Sequence, residues 1–114
     1  MSDLEDIVRR QVNAYNGRDI EKFVSFFSDS IELYDFPDRL ILKGKDALRE
    51  RYTKRFAASV NLKAVILKRF STSKYVVDIE DLIGSDFGSA PATVIYEVDQ
   101  GLIQKAWFVR DATI

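Results

Sequence analysis

The spacing of apolar residues changes partway along this chain, and that change limits the folds open to it. Up to Phe27 they recur every three or four positions, as on one face of a helix: Leu4, Ile7, Val8, Val12 and Tyr15, then Ile20, Phe23, Val24 and Phe27. From Asn61 onward the pattern is that of strands. Four runs, 62–70, 75–83, 92–99 and 102–110, are rich in Val, Ile, Phe and Tyr. They are separated by Ser71-Thr72-Ser73, by Gly84 to Gly88, and by Asp99-Gln100-Gly101, which are hairpin signals. Helices followed by an antiparallel meander make an α+β fold, with three helices packed on a curved, mostly antiparallel sheet.

Local signals divide the first half. Ser2 and Glu5 fit a capping box, Asn16-Gly17 stops the first helix, and Asp19 can cap a short second one. Residues 40–42 form a short strand, and Gly44 and Asp46 open a third helix. There Leu48, Tyr52 and Phe56 recur every four residues as an apolar stripe. The basic residues around that stripe, Lys45, Arg49, Arg51, Lys54 and Arg55, read as a solvated face.

Size and composition narrow the function. The 114 residues suffice for one domain, 1–114, with a real core. A net charge of −1 argues against a nucleic-acid partner or an anionic membrane surface. No apolar run approaches the ~20 residues of a membrane span, and the acidic start is unlike a signal peptide, so a cytoplasmic protein is expected. The absence of cysteine and histidine removes thiolate chemistry and the commonest general base and metal ligand. Proton transfer must run on Asp, Glu, Tyr or Lys, and neither a metal nor an organic cofactor is implied.

One carboxylate stands out. In the stretch 30–37, Ile31, Leu33 and Asp35 share one face of an extended segment that Pro37 stops. A carboxylate on an apolar face is costly to desolvate, which suits a general base; it can equally be a strand-end aspartate turned into water.

The order of these elements, with Ala14 to Ile20 followed by Phe26 to Ile31, Gly44 to Leu48 at a helix start, and Asp99 to Ile103 before Ala106-Trp107-Phe108, resembles the nuclear transport factor 2-like superfamily. It is most similar to SnoaL-like and ketosteroid-isomerase-like members. The resemblance covers nearly the whole chain and implies a cone, a bent sheet around helices with a pocket at the open end. It places the isomerases' general-base aspartate at Asp35 and a supporting tyrosine at Tyr52. Their oxyanion-hole tyrosine falls at Gln11, their buried protonated aspartate at Val94, and a further tyrosine at Phe27. With that oxyanion hole largely missing, steroid isomerisation by the same route is not expected.

The resemblance also implies that Val76, Asp78 and Glu80 face inward, adding two acids that could raise each other's pKa and share the catalytic work with Asp35. The alternative puts Asp78 and Glu80 outside, paired with basic residues of a neighbouring strand; a one-residue slip separates the two. Gln11, Tyr15, Tyr52, Phe56, Val94, Tyr96 and Phe108 are the expected ligand-binding residues for a small apolar molecule, although ordinary core packing accounts for Tyr15, Tyr52 and Phe56 as well. Ile95, Ile103 and Trp107 are then expected on the outer face, as a homodimer interface. Two readings remain: acid–base isomerase, cyclase or dehydratase chemistry on a small apolar carbonyl compound, or a non-catalytic ligand-binding or dimerisation module.

Overall fold

The computed structural model describes residues 3–84 and 90–110. Helix α1 (Asp3–Asn16) and the short α2 (Ile20–Ser25) lead into strand β1 (Phe27–Asp35) and strand β2 (Arg39–Lys43). Helix α3 (Lys45–Ala58) follows, and then the strands β3 (Lys63–Thr72), β4 (Tyr75–Ile83), β5 (Ala90–Asp99) and β6 (Leu102–Arg110). One six-stranded sheet runs in the order β2-β1-β6-β5-β4-β3. Its pairs are antiparallel except β1 with β6, a parallel pairing across the whole chain. Among the described residues no helix is long and apolar enough to cross a membrane.

The boundaries follow the expected chemistry in most places. Gly17 closes α1 through its N–H to the Asn13 carbonyl at 2.9 Å, and the Asp19 carboxylate accepts from the Lys22 N–H at 3.1 Å to cap α2. Gly44 stands before α3 at φ 95°, which a side chain would oppose. The capping box at Ser2 lies outside the described residues. Phe27 belongs to β1 rather than to α2, because the chain becomes extended there and pairs with Ile103.

The core lies between the helices and the concave face of the sheet. Val8, Ile31, Leu48, Val76, Val94 and Ile103 have no exposed surface. Phe23 sits at its centre, ringed by Tyr15, Phe27, Tyr52 and Phe56 at centroid distances of 4.8 to 6.0 Å. Side chains also stitch the end of α1 to the start of β3. Asn16 donates to the Ala64 carbonyl at 3.0 Å and accepts from its N–H at 2.8 Å. Arg18, at φ 59°, donates to the carbonyls of Tyr15, Ser59 and Leu62.

Two bulges decide which residues face the core. In β6 the register moves from Glu97 opposite Lys105 to Val98 opposite Ile103, leaving Gln104 as the extra residue. Alternation therefore resets, and Ile103 turns inward with Ala106. This corrects the expectation that Ile103 lies on the outer face; it is a fully buried core residue. In β3 the register moves from Ile66 opposite Glu80 to Lys68 opposite Ile79, leaving Leu67 extra and placing Arg69 opposite Asp78. Ile95 and Trp107 do lie outside, half-buried, where Trp107 stacks on Tyr34 at 6.0 Å and meets Tyr75 at 6.4 Å.

Candidate functional site

Where the helices and the concave sheet diverge they leave a hollow of about 70 Å³. That is several times the ~10–15 Å³ that one water molecule needs. Helix α1 contributes Gln11 and Tyr15, and α3 contributes Arg51, Tyr52 and Arg55. The sheet wall carries Leu33, Glu80, Tyr96, Ala106, Phe108 and Arg110. Strand alternation explains the wall: Leu33 pairs with Ala106, Ala106 with Tyr96, and Glu80 with Ala92.

Val76, Asp78 and Glu80 all point inward, the first two with no exposed surface and Glu80 with 7 %. Their surroundings differ sharply. Asp78 receives a two-pronged bond from Arg69, Nε to Oδ1 at 2.6 Å and Nη2 to Oδ2 at 2.8 Å, and does not reach the hollow. Glu80 lines the hollow, and among the described residues it has neither an ion pair nor a side-chain hydrogen bond. Burial pushes its pKa up to about 7, and the negative Asp78 adds to the shift; Arg69, Arg110 and Arg55 oppose it.

The remaining polar groups fall around Glu80. Tyr15 Oη accepts from Arg55 Nε at 3.0 Å. Burial raises Tyr52 to about 12 and Tyr96 well above the ordinary phenol range, so both stay protonated as donors. Gln11 is 5 % exposed, and among the described residues its buried amide oxygen has no hydrogen-bond partner. Such a group is costly unless something else satisfies it.

The expected site residues divide into two sets. Glu80, Gln11, Tyr15, Tyr52, Tyr96 and Phe108 are brought together on the wall. Phe56 and Val94 are not: both are core residues that do not line the hollow, Phe56 because it turns into the cluster around Phe23. Asp35 stands half-buried at the end of β1, on the face of Leu33, but the wall stops at Leu33. Arg51, Arg55 and Arg110 are the residues that sequence reasoning missed. Arg110 continues the inward series Ala106, Phe108, and that parity could have found it. Arg51 and Arg55 flank the Tyr52 stripe; Arg51 is exposed, as a solvated face requires, and Arg55 half-buried, yet both also line the hollow.

A family model described as a SnoaL-like domain matches residues 8–106. None of the curated proteins matches the chain. Among solved structures, an uncharacterised cystatin-fold protein from Novosphingobium aromaticivorans superposes with a TM-score of 0.86 at 21 % identity, covering 96 % of this chain and 99 % of that one. A candidate SnoaL-like polyketide cyclase from Shewanella denitrificans gives a TM-score of 0.81 at 14 % identity, with 96 % and 91 % covered. A candidate ketosteroid isomerase from Kribbella flavida gives 0.78 at 14 % identity, with 96 % and 78 % covered. At such identities the structures establish the fold, the cone also called nuclear transport factor 2-like. With the family model spanning most of its length, this chain belongs to the SnoaL-like domains.

Proposed function

We propose that this chain binds a small carbonyl compound in the hollow and moves a proton on it, as an isomerase, cyclase or dehydratase that needs no metal or organic cofactor. The observation that supports this is Glu80, a buried carboxylate on the cavity wall with no ion partner and a pKa near neutrality. A group poised near the working pH can take a proton and return it. Tyr52 and Gln11, on the wall of the same hollow, can donate to the developing enolate oxygen. Asp78 serves by position, raising Glu80 while Arg69 holds it. Asp35 acts only on a substrate that extends past Leu33.

The test is deuterium wash-in next to the carbonyl of a panel of small ketones in heavy water, followed by NMR. Glu80→Gln is expected to slow exchange at least ~10²-fold, the low end for a positioned acid–base group, and Asp35→Asn to leave it nearly unchanged. The opposite ranking returns the base to Asp35.

A second reading, a non-catalytic pocket or dimerisation module, is favoured by the hollow's size, since small-molecule sites usually measure ~300–1,000 Å³. In it the outer patch of Ile95 and Trp107, with Tyr34 and Tyr75, meets a second copy. Absence of wash-in from every ketone, together with a dimer that Trp107→Glu dissociates in sedimentation, selects this reading.

A further inference from the structure

The wall of the hollow is unusual in its charge. It carries three guanidinium groups, Arg51, Arg55 and Arg110, and one carboxylate, Glu80, which burial drives toward its neutral form. Elsewhere the arginines other than Arg39 are occupied. Arg9 and Arg10 pair with Asp6, Arg49 with Glu21 and Asp46, and Arg69 with Asp78, while Arg18 is spent on backbone carbonyls. Among the described residues none of the three cavity arginines has an ion pair. Arg55 is half-buried, and its Nε is turned onto Tyr15 Oη, which leaves the rest of its fork directed elsewhere; Arg110 lies over the Phe108 ring at 5.3 Å. Arg51 and Arg110 are exposed and Arg55 is half-buried, so the three line one hollow with their charge and paired donors open to an anion.

A second observation comes from α1. The Gln11 side chain is more than nine-tenths buried, lines the same hollow, and among the described residues its amide oxygen has no partner. It calls for a ligand that also presents a hydroxyl or comparable polar group. Between the arginines and Gln11 the wall is aromatic and apolar: Tyr15, Tyr52, Phe23, Phe27, Ala106 and Phe108.

Resting on the reading of this hollow as the ligand site, we infer that its ligand is a small organic carboxylate, with the carboxylate shared by Arg51, Arg55 and Arg110, an apolar or aromatic body along the tyrosines, and a polar substituent against Gln11. Planar guanidinium forks match the two oxygens of a carboxylate in geometry as well as charge. The limited volume sets the scale, from lactate to 4-hydroxybenzoate.

The full chain would be titrated, with NMR and thermal-shift detection, against acetate, lactate, benzoate and 4-hydroxybenzoate. Each is set against its neutral amide, and inorganic phosphate is included. The expected result is at least about tenfold tighter binding of a carboxylate than of its amide, with 4-hydroxybenzoate or lactate ahead of the unsubstituted acids. Arg55→Met and Arg110→Met are expected to abolish the preference while circular dichroism remains that of the folded chain; should Arg55→Met not fold, Arg110→Met alone carries the test. Equal binding of acid and amide, binding of neither, or phosphate ahead of every carboxylate overturns the inference. Glu80→Gln is expected to keep the preference. In the unaltered chain, wash-in without a carboxylate preference overturns this inference alone, and a carboxylate preference without wash-in overturns the proton-transfer reading alone.

Discussion

Two carboxylates sit two residues apart on β4, on the same face and with almost no exposed surface, and the protein treats them in opposite ways. Asp78 is clamped by both prongs of Arg69, so its charge is matched where it stands. Glu80 is opposite Ile66, which offers nothing, and opens onto a hollow. Burial alone does not make a reactive acid; burial without a committed partner does. The bulge at Leu67 decides between them, because it puts Arg69 rather than Lys68 across from Asp78.

The most disruptive way to break the comparison is Arg69→Met, which leaves Asp78 buried and unpaired. A loss of about 3–5 kcal/mol is expected in chemical denaturation, and Arg69→Met with Asp78→Leu is expected to recover most of it. Next in size is the pH dependence of Glu80. Its folded pKa of about 7 lies above the unfolded 4.5, so the folded state holds a proton that the unfolded chain has released between those values. Its stabilisation is complete below the unfolded value and is lost as pH rises through the folded one. At ~1.36 kcal/mol per unit the loss is up to about 3 kcal/mol, and Glu80→Gln is expected to flatten that part of the profile.

Asp78→Asn sharpens the contrast more gently. It removes the negative neighbour and frees the field of Arg69, so the Glu80 pKa is expected to fall, as followed by carboxyl-carbon NMR. Smallest of all is the exposed pair Lys54–Glu50, at 3.2 Å. Glu50→Gln is expected to change stability by no more than ~0.5 kcal/mol, which shows that ion pairing matters here only where water is excluded.

Much of this was legible before any coordinates. The change of period gives the helices and the meander, and of the two faces left open for Asp78 and Glu80 the inward one, which the family resemblance implies, holds because β4 alternates without interruption. The misses have local causes. Ile103 faces the core because Gln104 is bulged, and Arg69 meets Asp78 because Leu67 is; neither bulge has a Gly or Pro to mark it. The parallel pairing of β1 with β6 joins segments far apart in sequence, where hairpin signals are silent. Arg51 and Arg55 line the hollow from the basic face because a long side chain can curl from a helix flank toward a cavity that periodicity does not reveal.

The two bonds from Asn16 to the backbone of Ala64 matter beyond the helix they anchor. β3 is the last strand of the sheet, and its free N–H and C=O groups would otherwise invite another chain to dock alongside. A side-chain amide has the same donor and acceptor as a peptide, so Asn16 fills that place as a one-residue imitation of a neighbouring strand. Two molecules of this protein are thereby discouraged from joining sheet to sheet at this margin.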